Sequence, residues 1–246
     1  MRRVKAIVEY DGSLFHGFQY QKGDIKTVQN EIEKSIFQIT NEKVSVHAAG
    51  RTDAGVHSLG QTIHFDTNSN ISEYSLKCAI NHFLFKNGAS IISLENIDNS
   101  FHARFSAKWR MYEYKILNRS SPSSLFKNHM WHVPLHLDVD KMKEAAELLK
   151  GTHDFNSFRA SKCQGKSSIK TIELLDIERV NNEINMVIKS KSFLHNQVRI
   201  IMGTLYLIGV GKWNICDLKK AINEKKRCSA GPTAPPHGLY FKEVGY

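Results

Sequence analysis

The chain has 246 residues, a formal net charge of +10 and a hydrophobic content of 41%. These values are typical of a folded protein with one large domain or two small ones, and they exclude a disordered chain. No apolar run approaches the roughly 18 residues that span a bilayer, and the N-terminus enters a strand pattern without a signal peptide. The sequence therefore predicts a soluble, cytoplasmic protein without a membrane segment.

Four widely spaced cysteines form no C-x-x-C pair, and the 12 histidines form no H-x-x-x-H or H-E-x-x-H pattern. A disulfide scaffold and a cysteine zinc site are therefore not expected.

The excess positive charge is confined to the second half of the sequence. Residues 1–107 contain 11 basic and 11 acidic residues, whereas residues 108–246 contain 23 and 13. Such an excess of basic over acidic residues favours a polyanionic partner such as a nucleic acid, although many proteins are basic for solubility alone. Residues 155–172 contain no acid and predict a mobile basic loop able to lie along phosphates, with an ordinary solvated loop as an equal alternative. Its basic residues are Arg159, Lys162, Lys166 and Lys170.

Strand and helix patterns alternate along the first half. In chain order they predict a strand at 3–10, a helix at 27–39, a strand at 43–49, a strand whose Leu59, Ile63 and Phe65 face one way, a helix at 73–85 and a strand at 90–95. Thr27 and Ser72 are the expected helix N-caps.

The second half repeats this order. Its patterns predict a strand at 110–117, a helix at 139–149 with Asp138 as its cap and Gly151 as its stop, a hairpin of 171–180 and 184–190, a buried helix at 194–208, an extra helix near 215–225 and a closing strand at 239–244. The expected fold class is α+β, with two ferredoxin-like β-α-β-β-α-β modules, 1–107 and 108–246, whose antiparallel sheets flank a central cleft.

The most unusual segment is residues 49–57, AGRTDAGVH, here called the 49–57 loop. In an extended segment Arg51 and Asp53 share a face, where a bidentate ion pair would keep Asp53 ionised and ready to act as nucleophile or base. An ordinary turn with a surface ion pair fits the same residues. Asp53 and His57 also resemble half of a metal or hydrolase site, but no third ligand lies at a useful spacing.

A few other residues allow two interpretations. Tyr112 and Tyr114 alternate on a predicted strand and either stack on an unpaired base or pack within a sheet. Arg199 lies inside an apolar helix, where it must find an acidic partner or reach a cleft. For His64, His102 and His195 a structural role is the simple alternative.

Several motifs in the correct order resemble the bacterial TruA family of tRNA pseudouridine synthases. The 49–57 loop resembles the family's catalytic loop, and the likeness covers essentially the whole chain. The supporting stretches are residues 10–19 (YDGSLFHGFQ), 27–29 (TVQ), 101–107 (FHARFSA), 151–155 (GTHDF), 158–160 (FRA) and 233–240 (TAPPHGLY).

This resemblance implies that uridine is isomerised to pseudouridine at positions 38, 39 and 40 of the tRNA anticodon stem-loop. It implies no cofactor and no metal, and it implies a homodimer. By position, Asp53 is the catalytic carboxylate, Arg51 pairs with it, and Tyr112 stacks on the flipped uracil. Arg199 is a second buried cation near Asp53, and Leu239 lines the pocket. The residues expected to contact tRNA are Arg104, Arg159, Lys162, Lys166 and Lys170.

The chain departs from the family pattern at three places. Phe18 stands where Trp is usual, Gln197 stands where Met is usual, and residues 81–89 lack a Leu-Pro-x-Asp segment. None of these departures lies in the 49–57 loop, so they affect the expected packing and RNA contacts and leave the chemistry unchanged. The alternative to an enzyme is a non-catalytic RNA-binding module. Such a module would need the basic second half of the chain but would not need Asp53.

Neutralising Lys162, Lys166 and Lys170 together with Gln is expected to raise KM for tRNA and to flatten its dependence on salt. Each lost phosphate contact lowers the slope of log K against log salt by about 0.7–0.9. Steady-state kinetics at several salt concentrations measure both effects. An unchanged KM and slope would mean that the three lysines are merely solvated.

Overall fold

This computed structural model describes residues 1–161 and 167–246. Its strands are β1 (Arg2–Tyr10), β2 (His47–Ala48), β3 (His57–Thr67), β4 (Ala89–Ile97), β5 (Trp109–Asn118), β6 (Trp131–Val133), β7 (Gly151–Asp154), β8 (Ile169–Val180), β9 (Glu183–Ser190) and β10 (Leu239–Gly245). Its α-helices are α1 (Val28–Thr40), α2 (Glu73–Leu84), α3 (Val139–Glu147), α4 (Gln197–Gly209) and α5 (Ile215–Glu224). The expected mixed α+β class is confirmed. In the described part of the chain, no helix is long and apolar enough to cross a membrane.

The chain folds into two compact units. The first contains Met1–Lys108 and Tyr240–Tyr246, and the second contains Trp109–Leu239. The boundary lies one residue from the expected one, but the C-terminal strand belongs mainly to the first unit. Residues Tyr240 and Phe241 of β10 pair in parallel with β3, and this pairing explains the assignment.

The first unit is a largely antiparallel sheet with α1 and α2 packed on it. β1 lies between β3 and β4 and is antiparallel to both, and β2 pairs antiparallel with β3. α1 begins because Thr27 caps it, its Oγ1 accepting from the N–H of Asn30, and Ser72 caps α2 in the same way. Val28, Ile32 and Ile36 are fully buried at helical spacing, so one face of α1 packs into the core.

Two expectations for this unit are wrong in detail. The predicted strand 43–49 shrinks to β2, because the N–H of Val46 donates to the carboxylate of Glu33 on α1 and not to a neighbouring strand. Leu59 does not share the face of Ile63 and Phe65. Two residues of β3, Leu59 and Gly60, oppose one residue of β1, and this bulge leaves Leu59 exposed.

The second unit is also built on antiparallel pairs. β9 lies between β5 and β8, β8 pairs with β7, and the short β6 runs parallel to β5. The predicted hairpin is confirmed, with Asn181 in the left-handed region at φ 55°. Asp138 caps α3 as expected, but α3 ends at Glu147, and Gly151 begins β7.

The predicted start of α4 and the predicted basic loop both differ from the structure. α4 begins at Gln197 and not at 194, because Asn196 has φ 62° and the side chain of Gln197 accepts from the N–H of Leu194. Phe155–Phe158 form a 3-10 helix with both phenylalanines buried, and Ile169 starts β8, so neither end of 155–172 is a loop. Lys162 and Lys166 lie outside the described residues.

Three histidines of the first unit form a cluster of ring contacts. The rings of His47 and His64 lie 4.9 Å apart and those of His64 and His102 lie 4.6 Å apart. His64 is buried, and its Nδ1 accepts from the N–H of Ala103. Burial, with the nearby His102 and His47, lowers the pKa of His64 to about 4 from 6.5. His64 therefore has the structural role that the sequence left open.

The low pKa of His64 predicts that acid destabilises the protein. Its folded-state pKa lies below its unfolded-state pKa, so the unfolded chain binds more protons as pH falls from about 6.5 to about 4, and stability is lost over that window. His64→Asn retains an acceptor for the N–H of Ala103 without a titrating ring. Thermal unfolding across this window is expected to show a shallower fall of Tm for His64→Asn than for the wild type. Parallel curves would contradict this role of His64.

Candidate active site

The structure assigns the predicted site residues to the two units as follows. Arg51, Asp53 and Arg104 belong to the first unit, and Tyr112, Arg159, Lys170, Arg199 and Leu239 belong to the second. Each group is described within its own unit.

The 49–57 loop connects β2 to β3. Thr52 is buried between an exposed Arg51 and a half-buried Asp53, the alternation expected of an extended segment. The carbonyl of Asp53 then accepts from the N–H of Val56 at 3.2 Å, and Gly55 has φ 79°, so the chain turns immediately after Asp53. This turn places the carboxylate of Asp53 at the end of a short extended stretch.

Residues 10–19 hold the loop by close backbone contact. A Cβ at Gly12 would lie 2.1 Å from the carbonyl oxygen of Val56, and a Cβ at Gly17 would lie 2.9 Å from that of Thr52. The N–H of Phe18 donates to the same Thr52 carbonyl at 3.1 Å. Only glycine permits these approaches, which explains why the glycines of residues 10–19 occur together with the 49–57 loop.

Two buried side chains fix the loop further. The amide of Gln61, on β3, donates to the carbonyl of Gly50 at 2.7 Å and accepts from the N–H of Gly50 at 3.3 Å. The hydroxyls of Tyr10 and Thr52 are hydrogen-bonded at 2.8 Å. Burial raises the pKa of Tyr10 to about 12, so its hydroxyl stays protonated through the neutral range. Gln61 therefore holds the backbone of Gly50 and Tyr10 holds the side chain of Thr52, the two neighbours of Arg51.

The guanidinium of Arg51 contacts a residue that the sequence did not single out. Its Nε donates to Oε1 of Gln19 at 3.0 Å, and Nε2 of Gln19 donates to Gln29 on α1. A chain of amides therefore connects Arg51 to the helix. The ion pair between Arg51 and Asp53 stays a prediction. Gln19 lies 32 residues from Arg51, and its presence in the 10–19 motif was the only signal that could have identified it.

His57 has a structural environment within the first unit. Its ring is 1% exposed, stacks on Tyr240 at 4.7 Å, and accepts a hydrogen bond from the N–H of Gly12 at Nδ1. The contact with Gly12 joins the end of the loop to residues 10–19. These contacts give His57 a structural role, and the carboxylate oxygen of Asp11 lies 3.2 Å from the same Nδ1.

In the second unit, the two tyrosines of β5 differ in burial and in their contacts. Tyr114 is fully buried, donates to the carbonyl of Pro235 at 2.8 Å, and has its pKa raised by burial, so it is a core residue. Tyr112 is half-buried and meets the ring of Phe193 edge-on at 5.2 Å. Of the pair, only Tyr112 retains solvent-accessible surface.

The remaining predicted residues lie at separate places in the second unit. Arg199 on α4 donates to the carbonyl of Ala234 at 2.7 Å and to Asn196 Oδ1 at 3.0 Å, so a backbone carbonyl and an amide are among its partners. Leu239 is buried. Arg159 is half-buried after the 3-10 helix, and Lys170 lies on β8 opposite His153.

Comparison with known proteins identifies the class. A family model described as tRNA pseudouridine synthase matches residues 6–106 and 145–246. The tRNA pseudouridine synthase A of Anaplasma marginale (strain Florida) is 50% identical over 246 residues, covering 99% of this chain and 100% of the relative. Those of Anaplasma phagocytophilum (strain HZ) and Wolbachia pipientis wMel are 49% and 46% identical, with the same coverage of both chains.

The chain is therefore an RNA-modifying isomerase by class, and the resemblance found in its motifs is confirmed. It belongs to the tRNA pseudouridine synthase A family, whose reaction is the isomerisation of uridine in tRNA to pseudouridine.

The buried Tyr10–Thr52 hydrogen bond predicts a coupled effect on stability and turnover. Tyr10→Phe is expected to cost about 1 kcal/mol of unfolding free energy, because the Thr52 hydroxyl loses its partner. It is also expected to lower the single-turnover rate constant about 10-fold, because the neighbouring Arg51 and Asp53 lose positional precision. Urea denaturation and single-turnover kinetics measure the two effects.

A double-mutant cycle with Thr52→Val tests the source of this effect, and a coupling of about 1 kcal/mol is expected. Tyr74→Phe, at a tyrosine that is 74% exposed, serves as the matched control. If the effects of the two single substitutions on the unfolding free energy simply add, the Tyr10–Thr52 hydrogen bond is not the source of the loss in stability.

Proposed function

We propose that this enzyme isomerises uridines 38, 39 and 40 in the anticodon stem-loop of tRNA, with Asp53 as the nucleophile acting on a flipped-out uridine. The observation that carries the proposal is the position of Asp53. It is the one carboxylate of the 49–57 loop, and Gly12, Gly17 and Gln61 hold the backbone of that loop. Family membership supplies the reaction, and the rigid loop supports Asp53 as the group that performs it.

The chemistry is balanced without a cofactor or a metal. The bond from ribose C1′ to uracil N1 breaks, the base turns over, C1′ bonds to C5, the C5 proton leaves, and N1 gains a proton. The bond that Asp53 forms as nucleophile breaks again before product leaves, so its carboxylate is regenerated. Ordinary glycoside hydrolysis uses two carboxylates and a water molecule. A single carboxylate suits an isomerase, which must retain the detached base and exclude water.

The other site residues have distinct proposed roles. Arg51 pairs with Asp53 and helps to hold the target nucleotide out of the stem, against an unstacking cost of a few kcal/mol. Tyr112 stacks on the uracil and takes part in removing the C5 proton, which its half-buried ring supports. Arg199 supplies a second cation, and Leu239 contributes apolar lining.

We extend the proposal to tRNA binding and assembly. The phosphate backbone is contacted by basic side chains, and the second half of the sequence contributes most of them because its net charge is +10. The proposed residues are Arg104, Arg159, Lys162, Lys166 and Lys170. The active enzyme is proposed to be a cytoplasmic homodimer, in keeping with the family.

Each unit is proposed to be a ferredoxin-like module. In the first unit the element order β1-α1-β2-β3-α2-β4 and the spatial order β4-β1-β3-β2 support this assignment. In the second unit, β9 between β5 and β8 supports it. The first module carries the nucleophile, and the second carries most of the basic charge.

Asp53→Asn is expected to lower turnover about 1,000-fold or more while tRNA affinity stays within about 2-fold of the wild type. The amide preserves the shape of the side chain and removes its nucleophilic charge. Release of tritium from tRNA labelled at uracil C5 measures turnover, and filter binding measures affinity. Asp24→Asn, at an exposed acid of the same unit, is the matched control.

The same assays separate the alternative functions. Unchanged product formation by Asp53→Asn would overturn the catalytic assignment, and tRNA binding without turnover by the wild type would favour a non-catalytic RNA-binding module. Loss of activity in excess EDTA would favour a metal-dependent reaction through Asp53 and His57. Mapping of pseudouridine in unmodified total tRNA then tests positions 38, 39 and 40.

A further inference from the structure

A short turn after β4 exposes an aromatic side chain although its backbone is held by two strands and by the residue that follows β10. This turn, residues 101–106, is here called the 101–106 turn. Arg3 on β1 donates to the carbonyl of Phe101 at 2.8 Å, and His64 on β3 accepts from the N–H of Ala103 at 3.1 Å. The hydroxyl of Tyr246, next to the end of β10, donates to the carbonyl of Ala103 at 2.8 Å. The turn is therefore fixed to the sheet.

Hydrogen bonds within the turn fix its conformation. The N–H of Ser106 donates to the carbonyl of His102 at 2.9 Å, and the N–H of His102 donates to the hydroxyl of Ser106 at 3.0 Å. Nδ1 of His102 accepts from the N–H of Arg104 at 3.1 Å. Because Nδ1 accepts a hydrogen bond, the imidazole has a defined orientation beneath the turn.

Phe105 projects from this fixed turn into solvent. Phe105 is 77% exposed. Its ring contacts the ring of His102, with the two centroids 4.4 Å apart and the ring planes tilted by 38°. The guanidinium of Arg104 lies 5.8 Å from the centre of the Phe105 ring. A single exposed aromatic is common on protein surfaces. Here the ring is held by an ordered imidazole and lies beside a cation, which is the composition of a base-stacking platform.

The charge around the turn favours a nucleic acid over an apolar protein partner. Residues 101–108 contain two cations, Arg104 and Lys108, and no acid. His102 adds no charge at neutral pH, because burial and the nearby His47 and Arg3 lower the pKa of its imidazole. An apolar protein surface would not pair with this positive charge, whereas an RNA presents a base for the ring and phosphates for the cations.

We propose that Phe105 stacks on an unpaired base of the substrate tRNA, with Arg104 at the adjoining phosphate, so that the 101–106 turn is an RNA-docking surface. The inference rests on the proposed tRNA-binding function and adds a stacking contact that contributes to affinity and not to chemistry. Loop positions held by a rigid scaffold commonly supply such contacts.

The test compares Phe105→Ala and Phe105→Trp with Phe85→Ala. Phe85 is an equally exposed phenylalanine of the same unit, 77% exposed, and is the matched control. Fluorescence anisotropy with labelled tRNA is expected to show a Kd about 10-fold higher for Phe105→Ala, with Phe105→Trp and Phe85→Ala within about 2-fold of the wild type. The rate of pseudouridine formation at saturating tRNA is expected to stay at the wild-type value. An unchanged Tm would show that the variants fold.

Salt dependence separates the stacking contact from the charge contact. Phe105→Ala is expected to leave the slope of log Kd against log salt unchanged, whereas Arg104→Gln lowers it by about 0.7–0.9. A Kd for Phe105→Ala equal to that of Phe85→Ala would overturn the proposal, and so would an equal loss of affinity in Phe105→Trp. These results are independent of Asp53, so an inactive wild type that still binds tRNA through Phe105 would count against the proposed reaction alone.

Discussion

The close approach of two backbone segments is the constraint on which the first unit's candidate site depends. The 49–57 loop packs against residues 10–19 at distances that exclude a Cβ at Gly12 and at Gly17. Side-chain hydrogen bonds alone would leave the loop free to shift, because a hydroxyl or amide can follow a moving partner. Backbone contact through glycine removes that freedom, so Asp53, the proposed nucleophile, lies on a loop whose backbone is fixed.

The same packing explains why three distant parts of the sequence form one unit. β1 leads into residues 10–19, β3 begins at the end of the 49–57 loop, and β10 brings Tyr240 against His57. Tyr10, Gln61 and His57 are buried polar groups, and each finds a hydrogen-bond partner on or beside the loop. Burial of polar side chains is tolerated here because these groups are paired.

Most helices and strands were predicted correctly from the sequence, because the spacing of apolar residues along each element reflects which side chains are buried. The sequence-based predictions failed where an apolar pattern was not accompanied by the backbone hydrogen bonds of a regular strand or helix. Val44 and Val46 alternate like a strand, yet Val46 donates its N–H to Glu33 on α1. The apolar run from 194 continues a helical pattern, yet Asn196 adopts a left-handed conformation that α4 cannot include. Leu59 matched the period of β3, but a one-residue bulge turned it outward.

The sequence alone determined the α+β class, the polarised charge, Asp53 as the candidate nucleophile and the family, because these depend on composition, local period and motif order. Only the tertiary structure decided that Arg51 contacts Gln19, that Tyr114 is a core residue and Tyr112 is not, and that Phe105 is exposed on an anchored turn. Each depends on contacts between residues far apart in the chain. Such contacts are set by strand register and helix packing, which no local pattern encodes.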